Sequence, residues 1–308
     1  MLEIYQKTLS NNISFNGIGL HSGKSSTINL LPAKEDHGII FKRVDLNNNN
    51  LIKATYANVS SARLCTTLEN NQGIKVSTVE HLLAALYMAG VDNALIEINN
   101  EEVPIMDGSS KDFLQVLEKT DLVNQAKKRK YLKISNKIEL IDGERRISIE
   151  PNNKSLEINF YLDYKNNIIG KQKNVVNFQK DNLAEVSSSR TFCLYEDIEK
   201  IKKLGLAKGG SLDNAVVVDD NKVLNKGGLR NEKEFVNHKI LDLAGDLLLS
   251  GHRIMGKVTC HQGGHELTNL FLRKIFSTET DFQVIELEDF KVSKKFHSKE
   301  LEKIAVNA

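Results

Sequence analysis

The sequence predicts an α+β protein made of two tandem, similar domains, each a β-sheet packed with a helix pair. Runs with the β period alternate with helical ones along 308 residues, a length that suits about two domains. Two motif pairs recur in the same order: "SSARLC" (60–65) returns as "SSRTFC" (188–193), and "TVEHLLAAL" (78–86) as "FVNHKILDL" (235–243). Aligning Arg63 with Arg190 sets Ser60 and Ser61 on Ser187 and Ser188, and the second pair sets His81 on His238. From arginine to histidine is 18 residues in the first half and 48 in the second. About 30 extra residues therefore fall around "KGGSLDNAVVVDDNKVL" (208–224).

Local patterning gives the elements in order. "STINLL" (26–31), "GIIFKRV" (38–44) and "NALIEIN" (93–99) read as strands of the first half. "RRISIEP" (145–151), "LEINFYLDY" (156–164) and "AVVVD" (215–219) read as strands of the second. Helices are expected over 77–89, 109–119, 193–204 and 232–250. The charged "QAKKRK" (125–130) is the expected linker. It sets a first domain at 1–125, with a small insert, and a second at 131–300, with an insert at about 193–224.

Composition narrows the function. A net charge of +2, without a dense Lys/Arg patch, does not predict a nucleic-acid partner. No apolar run approaches the roughly 18 residues needed to span a bilayer, and "MLEIYQKTLSNN" lacks a signal peptide's apolar core. Cys65, Cys193 and Cys260 are widely spaced, so neither a disulfide framework nor a cysteine zinc cluster is expected. The expectation is a cytoplasmic, monomeric protein with at most transient contact with a membrane surface.

The stretch "EFVNHKILDLAGDLLLSGH" (234–252) is mostly apolar, yet His238, Asp242 and Asp246 recur every fourth residue. At about 100° per residue they stack on one helix face. An (i, i+4) ion pair on a solvated face is one reading. A divalent metal is the other, because buried carboxylates need partners and imidazole and carboxylate both ligate zinc. If the two halves pack face to face, His81 meets His238 and Asp242, leaving a fourth position open, as catalytic zinc sites do. The segment "VEHLLAALY" is no H-E-x-x-H helix, so such a metal must be held from two helices. Among the other histidines His37, His252, His261 and His297 are weaker candidates.

Glu80, just before His81, has two readings: a helix-start carboxylate favoured by the macrodipole, or a general base beside the metal. His265, in "CHQGGHEL" (260–267), is either a surface loop residue or a proton donor held cationic by Asp246. A metal that merely pins two domains together accounts for His81, His238 and Asp242, but not for Glu80, His265 and Asp246 beside them.

The motifs "GIGLHSGK" (17–24), "STVEHLLAAL" (77–86), "VPIMDGSS" (103–110), "SSRTF" (188–192), "NHKILDLAGD" (237–246) and "GGHEL" (263–267) occur in the order seen in the UDP-3-O-acyl-N-acetylglucosamine deacetylases. The chain resembles these zinc enzymes of lipid A synthesis over nearly its whole length. The resemblance implies two tandem α+β domains with the active site between them, the second insert forming part of an acyl-chain passage. It implies one Zn²⁺ per chain on His81, His238 and Asp242, with Glu80 as general base and His265, oriented by Asp246, as general acid. Thr191 would hydrogen-bond the oxyanion, and Lys239 would help hold the phosphates of a UDP-3-O-acyl-N-acetylglucosamine substrate. Phe192, Leu20, Leu206, Ala207 and Ala215 would line the lipid passage, and Tyr164, in "LDYKNN" (162–167), would border the nucleotide. Cys65 matches a family cysteine near the site. The chain departs from the family pattern at Asn166–Asn167, where His-Pro is common, at Cys193–Leu194, where Gly-Phe is usual, and at Gln262, often basic.

Overall fold

The computed structural model describes residues 2–288 and is a mixed α+β protein. His297 and the expected end of the second domain at residue 300 lie outside the described residues. The first half holds a five-stranded sheet in the order Ile13–Ile18, Ser25–Pro32, Ala94–Ile98, Ile39–Arg43, Leu51–Lys53. In Ser25–Pro32 every second residue (Ser26, Ile28, Leu30) is buried, the period of a sheet with one covered face. A three-stranded sheet of Val59–Ser61, Thr67–Glu69 and Lys75–Ser77 then leads into helix α1 (Glu80–Ala89). Helix α2 (Lys111–Lys119) packs on α1. Tyr5–Leu9 pairs antiparallel with Leu122–Lys128, so most of the segment 125–130 is strand.

The second half is a seven-stranded sheet organised on Arg253–His261. That strand pairs antiparallel with Arg145–Pro151 and parallel with both Lys130–Ile134 and Leu156–Asp163. Its Gly256 is a packing requirement, since a Cβ there would lie 2.6 Å from the Ile149 side chain. Helices α3 (Ala184–Ser187), α4 (Tyr195–Lys203), α5 (Glu234–Leu248) and α6 (His265–Ser277) complete the half. The four expected helices occur as α1, α2, α4 and α5. Helix α6 and the central strand Arg253–His261 were absent from the sequence pattern.

Helix α5 is buried at every residue except Lys239, and α1 is buried from Glu80 to Tyr87. The two helices, one from each half, pack directly on each other. A Cβ at Gly245 would sit 2.1 Å from the Glu80 carbonyl oxygen, so only glycine admits this approach. The contact brings the first turn of α1 against the stripe of α5 that carries His238, Asp242 and Asp246.

Candidate metal and catalytic centre

His81 is the second residue of α1, and His238 and Asp242 lie one turn apart on α5. Asp242 Oδ1 is 3.5 Å from His81 Nε2 and 3.4 Å from His238 Nε2, and the imidazoles meet edge to face at 5.0 Å. One ligand atom from each of the three lies within 4.8 Å of the others. A tetrahedral site with bonds of about 2 Å has edges of about 3.3 Å, close to these separations. Asp242 Oδ1 is buried and accepts no hydrogen bond among the described residues, which a cation between the three groups would remedy. His238 Nδ1 lies 3.1 Å from the Ser189 carbonyl oxygen; donating to it leaves Nε2 free as a ligand. Burial lowers the His238 pKa to about 3, against the pull of Asp242, so the ring is neutral, as a ligand must be. Asp242 is held well below the carboxylate range: burial opposes this, but His238 and Lys239 outweigh it.

Glu80 and His265 sit beside this cluster. His265 Nε2 is 3.7 Å from Glu80 Oε1 and 4.0 Å from Asp242 Oδ2. Its Nδ1 bonds Asp246 Oδ2 at 2.7 Å, while the Thr66 hydroxyl donates to Asp246 Oδ1 at 2.7 Å. The Thr66 amide donates to Glu80 Oε2 at 3.1 Å, so Thr66 orients both carboxylates. Burial raises the pKa of Glu80 despite the nearby imidazoles. For His265, burial alone would lower the pKa, but Asp246 and Glu80 lift it to about 10. The arrangement is a carboxylate suited to accept a proton and an imidazolium suited to donate one. His265 is the first residue of α6, capped by Gly264, rather than part of a loop.

These groups open into a cleft of about 360 Å³ whose wall includes Leu20, Tyr164, Thr191, Phe192 and Lys239. Phe192 meets the Phe235 ring at 4.9 Å and Tyr164 at 5.8 Å, and the Lys239 ammonium stands 5.5 Å from its centroid. Lys239 also bonds Asp242 Oδ2 at 2.9 Å; burial disfavours its charge, but Asp242 raises its pKa overall. Leu206, Ala207 and Ala215 are not in this wall. Ala207 sits where the insert meets the loop at His21, its amide 3.4 Å from His21 Nδ1. Cys65 is buried, and burial with the Glu80 charge pushes its thiol up to about 12. Gln262 bonds both the amide and the carbonyl of Asp163, and Asn166 Oδ1 accepts the Ile168 amide at 2.9 Å. Of these departures, Asn166 serves a local turn, while Gln262 ties two segments 99 residues apart.

Sequence reasoning missed His21, Thr66, Arg145 and Ser189. His21 lies in "GIGLHSGK" and lines the cleft, with Nε2 buried and unpartnered among the described residues. The signal was a histidine inside a Gly-rich turn. Ser189 acts through its carbonyl, which no side-chain pattern reveals. Arg190 beside it is locked to the wholly buried Glu234 (Nε to Oε1, 2.7 Å), which ties this loop to the start of α5.

Residues 6–277 match the family model described as UDP-3-O-acyl N-acetylglycosamine deacetylase. A protein of Syntrophotalea carbinolica named UDP-3-O-acyl-N-acetylglucosamine deacetylase is 42% identical over 284 residues, covering 92% of this chain and 91% of its own. Proteins of the same name from Geobacter sp. (strain M21) and Shewanella sp. (strain ANA-3) are 40% and 39% identical. They too align over 92% of this chain, and over 92% and 94% of their own lengths respectively.

Proposed function

The chain belongs to the UDP-3-O-acyl N-acetylglycosamine deacetylase family, and we propose that it is a zinc-dependent amide hydrolase. Its substrate on this reading is UDP-3-O-(3-hydroxyacyl)-N-acetylglucosamine, from which it removes the 2-N-acetyl group and releases acetate. We place this at the committed step of lipid A biosynthesis, in the cytoplasm. The observation that carries the reading is one cleft holding His81, His238 and Asp242 with Glu80 and the His265–Asp246 pair beside them.

Zn²⁺ bound by the two imidazoles and Asp242 would acidify a water and polarise the acetamido carbonyl. Glu80, held by the Thr66 amide, accepts the proton from the attacking water. The Thr191 hydroxyl hydrogen-bonds the oxyanion that develops on the former carbonyl oxygen. His265 gives its Nε2 proton to the departing glucosamine nitrogen, and Asp246 stabilises the imidazolium until transfer. Burial of Glu80 and Asp246 keeps bulk water from these carboxylates and strengthens the contacts they make.

The rest of the substrate has matching surfaces. Arg145 lines both the cleft and a neighbouring groove with Arg146, Lys171 and Lys173, where the Tyr161 and His261 rings stack at 4.1 Å. That cationic groove and Lys239 suit a nucleoside diphosphate, with Tyr164 at the border. Leu20 and Phe192 present apolar surface in the same cleft, and Leu206, Ala207 and Ala215 of the insert are proposed to extend it for the acyl chain. No helix of the described residues is long and apolar enough to cross a membrane.

The test combines metal analysis with acetate release from the nucleotide sugar. The purified protein is expected to carry about one Zn²⁺ per chain and to release acetate. A chelator should abolish turnover, and Zn²⁺ should restore it. Unfolding on chelation in a protein that never released acetate would instead make the metal structural.

A further inference from the structure

Glu102 does not touch the reacting groups, yet its side chain is 2% exposed and stands where three segments meet. Oε1 accepts the His21 amide at 2.8 Å and the Thr78 hydroxyl at 2.9 Å, and Oε2 accepts the Ser22 amide at 2.7 Å. A Cβ on residue 19 would lie 2.2 Å from Oε2, so the loop closes on this carboxylate only because Gly19 has no side chain. Thr78 adopts φ +57°, a costly conformation for a β-branched residue, immediately before the turn that presents Glu80 and His81. Its bond to Glu102 is one of the contacts that hold it there.

The outer side of the same loop seats the second-half insert. Gly209 N donates to the Leu20 carbonyl at 3.0 Å and Lys208 N to the His21 carbonyl at 3.2 Å. A Cβ at Gly209 would be 2.3 Å from the Gly19 carbonyl oxygen, so here backbone lies on backbone. The insert therefore rests on a loop held by the buried carboxylate of Glu102, 80 and 81 residues away in sequence from the two amides it accepts.

We propose that Glu102 is a positioning residue for acyl-chain recognition. It locks the 19–23 loop between the start of α1 and the 207–209 segment of the insert, and so sets the wall past which the 3-O-acyl chain must run. The proposal rests on the deacetylase reading above. A glutamine at this position keeps the volume but turns an NH₂ toward one of the backbone donors, replacing a charge-assisted bond with opposed donors.

The experiment compares the parent protein, Glu102→Gln and the exposed-neighbour control Glu101→Gln on substrates with a long and a short 3-O-acyl chain. Glu102→Gln is expected to raise KM about tenfold for the long chain and less than about threefold for the short one. Its kcat stays within about threefold and its metal content is unchanged. Amide hydrogen exchange at Lys208 and Gly209 should quicken, a readout independent of turnover. Glu101→Gln should match the parent. Should Glu102→Gln fail to fold, Thr78→Val should give a smaller change of the same sign, which Thr78→Ser lacks. Equal losses for both chain lengths, a loss confined to kcat, or unchanged exchange at 208–209 would overturn the proposal. A parent that turns over neither substrate, while exchange still quickens in Glu102→Gln, would sink the deacetylase reading and leave the clamp standing.

Discussion

Glu80, at the start of α1, and His265, at the start of α6, come within 3.7 Å of each other, and their environments push them toward opposite tasks. Glu80→Gln and His265→Ala are each expected to lower kcat by about 10²–10⁴-fold with metal content intact. His238→Ala should instead lose the metal, as measured by elemental analysis of the purified protein. On the proposed roles, activity requires Glu80 unprotonated and His265 protonated. Burial raises Glu80 above its ordinary 4.5, and Asp246 with Glu80 lifts His265 to about 10 against the effect of burial. The pH profile of kcat/KM should accordingly be bell-shaped, with its acid limb above 4.5 and its alkaline limb well above the histidine range. Asp246→Asn removes a carboxylate that favours the imidazolium, so the alkaline limb should move to lower pH. A limb that stays in place would show that another group sets it.

At the scale of elements, the crossing of α1 and α5 decides the site. Gly245→Ala would drive a methyl into the Glu80 carbonyl, and we expect a loss of about 1–3 kcal/mol in denaturant titration together with reduced turnover. Glu234→Ala leaves Arg190 without its buried partner and should cost about 3–5 kcal/mol, while slackening the loop whose Ser189 carbonyl orients His238. Both helices were readable from their apolar period, and the strand at 145–151 was readable residue for residue. The strand Arg253–His261 was not, because Gly256 and Lys257 interrupt its apolar run and Arg253 looks like a solvent residue. That arginine is buried, donating to the Val91 carbonyl at 2.8 Å and to the Tyr87 carbonyl at the end of α1. Helix α6 escaped notice because two glycines precede it and Gly264 offers no side-chain cap.

For the whole molecule, the internal duplication and the packing tell the same story. The helices that carry His81 and His238 come from corresponding places in the two halves and meet in a single continuous core. The division at 125–130 stands as our proposal for the boundary between units. The antiparallel pairing of Tyr5–Leu9 with Leu122–Lys128 runs into that segment, so the proposed boundary is mostly strand and not a free loop. Because the core continues through the α1–α5 contact, we expect chelator-treated protein to keep its secondary structure by circular dichroism while turnover stops. Collapse of the spectrum on metal removal would refute that division of labour.

What this sequence determined by itself is local: helix period, strand alternation, and the stacking of His238, Asp242 and Asp246 on one face. A turn of helix sets those positions whatever surrounds it. The long motifs, set by chemistry at fixed spacing, likewise named the candidate ligands and proton carriers. Only the tertiary structure decided that Thr66 holds both Glu80 and Asp246, that Ser189 orients His238, and that Glu102 anchors the loop at Leu20 and His21. Those contacts join residues tens to hundreds of positions apart. Their existence depends on how closely two backbones approach, which no periodicity along a single segment records.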